Sequence, residues 1–84
     1  MVTVEIYTKD HCPYCIKAKM LLKKYKVEFK EIEIKTQNEM DDLVKKTSML
    51  TVPQIFINNK LIGGCDDLYK LESEQKLKNM LGCK

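Results

Sequence analysis

The chain has 84 residues, 44% of them hydrophobic and 32% charged, with 15 basic residues against 12 acidic ones for a net charge of +3. That length supports one small core and leaves too little apolar surface for a second, so a single domain spanning residues 1–84 is expected. All the basic residues are lysines scattered along the chain, which excludes the clustered footprint of a nucleic-acid binder. No apolar run approaches the roughly 20 residues of a membrane span, and neither a span nor a signal segment is expected.

In chain order, Val2, Val4 and Ile6 alternate with Thr3, Glu5 and Tyr7, the period of a strand with one buried face. From Pro13 to about Tyr25 the period lengthens: Tyr14, Ala18, Leu21, Leu22 and Tyr25 fall on one side and Lys17, Lys19, Lys23 and Lys24 on the other. This predicts an amphipathic helix, with Pro13 in its first turn, where a missing N–H costs nothing. Val27, Phe29, Ile32 and Ile34 predict a second strand, and Glu39 to Lys46 a second helix with Met40, Leu43 and Val44 inward.

Gln54 to Ile57 and Lys60 to Ile62 flank Asn58-Asn59, a pair that tolerates positive φ and closes a hairpin. Asp66 to about Leu81 predicts one or two closing helices, with Gly82 as the stop. The crossover makes the first two strands parallel and the hairpin adds antiparallel ones. The expected fold is therefore α/β, a four-stranded mixed sheet flanked by helices in the order β-α-β-α-β-β-α, which is the thioredoxin-like plan.

The cysteines are Cys12, Cys15, Cys65 and Cys83. Two cysteines so close as Cys12 and Cys15 make a poor long-range staple, and a structural zinc site would want a second close pair, which Cys65 and Cys83 do not form. A Cys-x-x-Cys at a strand-to-helix junction reads instead as a redox site. At the helix cap, Cys12 faces unpaired backbone N–H groups and the positive end of the helix, and Lys9 adds a nearby positive charge, so a thiolate is favoured there. Cys15, one turn on, is the more buried partner that can close a disulfide. An anionic sulfur at position 12 also departs readily when a second thiol attacks a mixed disulfide formed on it.

The runs Tyr7-Thr8-Lys9-Asp10-His11-Cys12-Pro13-Tyr14-Cys15, Thr51-Val52-Pro53-Gln54-Ile55-Phe56-Ile57 and Ile62-Gly63-Gly64-Cys65-Asp66-Asp67-Leu68 resemble the dithiol Cys-Pro-Tyr-Cys glutaredoxins, above all the short bacterial members. The resemblance implies a glutathione-dependent thiol–disulfide oxidoreductase with Cys12 and Cys15 as its catalytic pair. Glutathione would be reductant and cosubstrate, with no metal. It further implies a cis proline at Pro53, with the backbone of Val52 pairing the cysteinyl part of glutathione and Thr51 beside them. Gly63 and Gly64 would admit the γ-glutamyl end to the amides of Cys65 and Asp66, with the Asp66 side chain at the α-amino group and Lys9 and Tyr14 along the remaining side. Clients would be disulfide-bearing or glutathionylated proteins, ribonucleotide reductase among the possibilities, with glutathione reductase as the indirect electron source. A cytoplasmic monomer, free of nucleic acid and membrane, is the expected setting.

The chain departs from the family pattern at two places. It has Ser48-Met49-Leu50 where Gly and Arg usually precede Thr-Val-Pro. It also has Met40 where a Gln or Arg usually clamps the glycine carboxylate, leaving Gln37 or a nearby lysine as the substitute. Two rivals follow from the same resemblance: a module holding an iron–sulfur cluster through Cys12 and glutathione, against which Pro13 and Tyr14 argue, and a redoxin fed by thioredoxin reductase. Cys65 is expected to contribute its amide, Cys83 to be incidental, and His11 to be a surface loop histidine.

Overall fold

A computed structural model describes residues 2–82. Its elements run β1 (Val4–Thr8), α1 (Pro13–Lys24), β2 (Lys30–Glu33), α2 (Gln37–Thr47), β3 (Gln54–Ile57), β4 (Lys60–Gly63), α3 (Cys65–Ser73) and α4 (Leu77–Met80). The sheet order is β2-β1-β3-β4, with β1 parallel to β2 and antiparallel to β3, and β3 antiparallel to β4. This is the expected mixed sheet, a thioredoxin-like fold, with the closing helices resolved as two.

The alternation of β1 divides the core. Val4 and Ile6 face α1, α3 and α4 and join Ala18, Leu21, Leu22, Ile55, Leu68, Leu77 and Leu81 in the larger cluster. Tyr7 faces the other way, toward Ile34, Met40 and Leu43 beneath α2, and meets Phe56 edge-on at 5.7 Å. Helices thus cover both faces, as period-two strands with apolar residues on each side require.

Local chemistry sets the boundaries. Asn58 and Asn59 both take positive φ, at 53° and 66°, the conformation of a tight two-residue hairpin turn. Thr36 caps α2 by accepting the Glu39 N–H at 3.1 Å, and Glu39 reaches back to the Lys35 N–H at 3.3 Å. Gly82, at φ 74°, follows the last turn of α4 as the stop its position suggested.

Two expectations are corrected. β2 begins at Lys30 because its pairing with β1 starts at Glu5↔Lys30, so Val27 and Phe29 pack against the larger core from the preceding connection, outside the strand. Tyr14 does not lie on the buried side of α1; Cys15, Ala18, Leu21 and Leu22 make up that side, and Tyr14 is 59% exposed.

Leu22 is fully buried at the centre of the larger cluster. Leu22→Ala is expected to cost about 3 kcal/mol through lost burial and a residual cavity, lowering the melting temperature by on the order of 15 °C. A calorimetric shift of only a few degrees would contradict this packing.

Candidate redox site

Three chain segments emerge at one end of the sheet. β1 ends at Thr8 while its antiparallel neighbour β3 begins at Gln54, with Tyr7 opposite Gln54. β4 ends at Gly63, opposite Ile55 near the start of β3. The connection leading to α1, the segment before β3 and the turn into α3 therefore meet, which brings Cys12, Thr51-Val52-Pro53 and Gly64-Cys65-Asp66 together.

Cys12 is the N-cap of α1, in extended conformation at φ −112° and ψ 101°. Its Sγ accepts the backbone N–H of Cys15 at 3.2 Å and its thiol donates to the carbonyl of Val52 at 3.9 Å. The amide donor belongs to the otherwise unpaired first turn of the helix, and it binds more strongly as the sulfur gains negative charge. Cys12 is half-buried and Cys15 buried. Burial first, and then the hydrogen bond with Cys12, pushes the Cys15 thiol up to about 12. At neutral pH Cys15 is thus a neutral thiol beside a more accessible sulfur.

An open groove of about 430 Å³ is lined by Tyr14, Met49, Thr51, Val52, Pro53, Gly64, Cys65, Asp66 and Asp67. The Val52–Pro53 peptide bond is cis, as the resemblance implied. Gly63 holds φ 129°, and a Cβ there would run into the Asp67 carboxylate. That carboxylate accepts the Gly64 N–H at 3.0 Å and so squares off the start of α3. Cys65 is buried, and burial pushes its thiol up as well. Tyr14 forms the opposite lip, with the Lys17 ammonium 5.9 Å from its ring centre; the Tyr69 hydroxyl donates to the Lys17 carbonyl at 3.1 Å and ties α3 to α1.

The other candidates divide. Lys9 lies apart from that groove, in a neighbouring hollow with Asp10, Ile34, Lys35, Thr36 and Gln37. Met40 is a core residue, 4% exposed, and presents nothing to solvent. Gln37 holds Asp41 at 2.9 Å through its amide nitrogen. His11 is exposed in the loop, at φ 54°. Cys83 lies outside the described residues. Sequence reasoning assigned no place in the site to Met49, whose methyl lies 3.7 Å from where a Gly64 Cβ would stand, or to the buried Gln54. Met49 differs from the family pattern, and that departure was its one signal.

A thiol held above its ordinary value of 9.0 by the fold stabilises the folded state below that pH and loses this contribution as pH rises toward about 12. The urea midpoint of the reduced protein is therefore expected to fall between about pH 9 and pH 11, and to fall less in Cys15→Ala. Equal slopes in the two proteins would show that Cys15 ionises freely in the fold.

The glutaredoxin family model matches residues 4–62. The chain is 52% identical to glutaredoxin 1 of Rickettsia prowazekii (strain Madrid E) over 82 residues, covering 94% of this chain and 86% of that one. It is 46% identical to glutaredoxin 3 of Escherichia coli (strain K12) over 82 residues, covering 96% and 99%. Among solved structures, the buckwheat glutaredoxin–glutathione complex superimposes with a TM-score of 0.88 at 29% identity, covering 96% of this chain and 77% of that one. With a dithiol at a helix N-terminus, a cis proline opposite it and full-length relatives of one kind, this chain belongs to the glutaredoxin family and is a thiol–disulfide oxidoreductase.

Proposed function

We propose that the chain is a cytoplasmic, glutathione-dependent reductase of protein disulfides and of glutathione mixed disulfides, acting through Cys12 and Cys15. The observation that carries this reading is the position of Cys12 Sγ: half-exposed, within reach of the Cys15 amide and the Val52 carbonyl, beside a groove lined by Thr51, Val52, Pro53, Gly64, Cys65 and Asp66. The glutathione held by the buckwheat relative supports the same ligand here.

In this reading the strand-like backbone of Val52 pairs with the cysteinyl part of glutathione, with Thr51 and Pro53 beside it. The γ-glutamyl carboxylate meets the N–H groups of Cys65 and Asp66 at the start of α3, where unpaired amides and the helix dipole favour an anion. The Asp66 carboxylate takes the α-amino group and Tyr14 covers the open side. The glycyl carboxylate reaches the hollow of Lys9 and Lys35. Since Gln37 is engaged with Asp41, the two ammonium groups serve as point charges in place of a bidentate fork.

Catalysis begins when the Cys12 thiolate attacks the glutathionyl sulfur of a mixed disulfide; a Cys12–glutathione disulfide forms and the protein thiolate leaves and takes up a proton. A second glutathione thiolate then attacks the bound glutathionyl sulfur, oxidised glutathione departs and Cys12 is restored, with glutathione reductase recycling the product. For a protein disulfide, Cys12 attacks one sulfur and the other leaves as a thiolate that takes up a proton. Cys15 then attacks the Cys12 sulfur of the mixed disulfide, and a Cys12–Cys15 disulfide forms as the client thiolate departs with the Cys15 proton. Two glutathione molecules reduce that disulfide and leave as oxidised glutathione. Burial keeps Cys15 protonated until it lies against the mixed disulfide, where proximity replaces nucleophilic strength.

Cys15→Ser is expected to retain turnover of a small glutathione mixed disulfide and to lose reduction of a protein disulfide by at least about 100-fold, whereas Cys12→Ser loses both. Coupled NADPH oxidation with glutathione reductase measures each activity. Equal losses in the two variants would reject this division between the sulfurs, and inactivity of the unaltered chain in both assays would reject the function.

A further inference from the structure

Gln54 is the first residue of β3 and is completely buried, one of two buried polar residues among those described. Its Nε2 donates to the carbonyl of Met49 at 3.1 Å and to that of Thr51 at 3.0 Å. Its Oε1, equally buried, has no hydrogen-bond partner among the described residues. A buried amide with one end unanswered is a costly occupant of a core position, where an apolar side chain of the same shape would be cheaper. Only the donor end of this residue is used.

Both acceptors lie in the segment that forms one wall of the groove, and the carbonyl of Val52, next to Thr51, is the one that faces Cys12. Residues 48–53 contain no helix or strand, so no ladder of backbone hydrogen bonds holds their carbonyls. The Gln54 amide takes that place. It spans the segment from behind, draws the Met49 and Thr51 carbonyls inward, and leaves the Val52 peptide turned outward toward the sulfur and the groove.

We infer that Gln54 is a positioning residue for substrate: through its two carbonyl contacts it sets the outward presentation of the Thr51-Val52 backbone on which glutathione is bound. The side chain itself touches neither substrate nor sulfur. The inference rests on the proposed groove for glutathione and deepens it by assigning the wall's geometry to one buried side chain. It also accounts for the identity of the residue, since a leucine or methionine would fill the same volume and supply no donor.

Steady-state kinetics on a small glutathione mixed disulfide provide the test. Gln54→Met keeps the shape and removes the donors; it is expected to raise the KM for the mixed disulfide about ten-fold while kcat stays within about two-fold, with a melting temperature close to that of the unaltered protein. Gln54→Asn, whose amide is one methylene too short to span both carbonyls, is expected to show a smaller rise in KM, and it carries the comparison should the methionine variant not fold. An unchanged KM, or losses in kcat and melting temperature of equal proportion, would overturn the inference. Inactivity of the unaltered protein on this substrate would overturn both the inference and the groove reading beneath it, and that control separates the two failures.

Discussion

The site depends on the antiparallel pairing of β1 with β3. Cys12 and Val52 are far apart in the chain, yet the thiol of one meets the carbonyl of the other because Tyr7 and Gln54 face each other across the sheet and the chain leaves one strand where it enters its neighbour. A slip of this register by one residue would turn Ile6 and Ile55 out of the larger core, which binds the register to the burial of those side chains. The core thereby fixes the distance between the two halves of the site. The hairpin extends the same logic to Gly63, so the third wall also arrives without a long connection.

At the start of α1 the fold treats two chemically identical thiols differently. Cys12 stands before the helix, where an amide points at it; Cys15 stands one turn inside, on the face that carries Ala18 and Leu22 into the core. The cap position produces this contrast: Cys12 has extended, non-helical dihedrals, φ −112° and ψ 101°, whereas Cys15 lies within the helix on its buried stripe. A further tie holds the base of the site. The buried Thr8 hydroxyl donates to Glu31 at 2.8 Å and the Lys19 ammonium reaches the same carboxylate at 3.0 Å, which lowers the titration of Glu31 and joins β1, β2 and α1 just before the chain turns into the redox loop.

Much of this was legible in the residues. The period-two run located β1 closely, Pro13 located the start of α1, and Asn58-Asn59 located the hairpin turn and the strands on either side of it, because each of these signals is local and needs no partner. The placement of Cys12 at the start of α1 with the more buried Cys15 one turn on was legible for the same reason. Signals that depend on distant partners were not. Tyr14 matches the apolar period of α1 but stands off its buried side, and Phe29 matches a strand whose pairing partner starts too late to include it. Gln54 reads as an unremarkable strand residue until the irregular segment folded over it is seen.

The absence of arginine draws these points together. A site that grips its ligand through side-chain forks would suffer from Met40 and Met49 in place of polar or charged residues. One that grips through backbone amides and carbonyls is indifferent to those side chains, provided the backbone is held in place. The two walls of the groove meet that condition by different means: on one side the Asp67 carboxylate accepts the Gly64 N–H, with Gly63 in a conformation that leaves room for it, and on the other the Gln54 amide donates to the Met49 and Thr51 carbonyls. Each wall is thus set by a side chain standing behind or beside it, and under the proposed function recognition shifts from the residues that line the groove to those that shape its backbone.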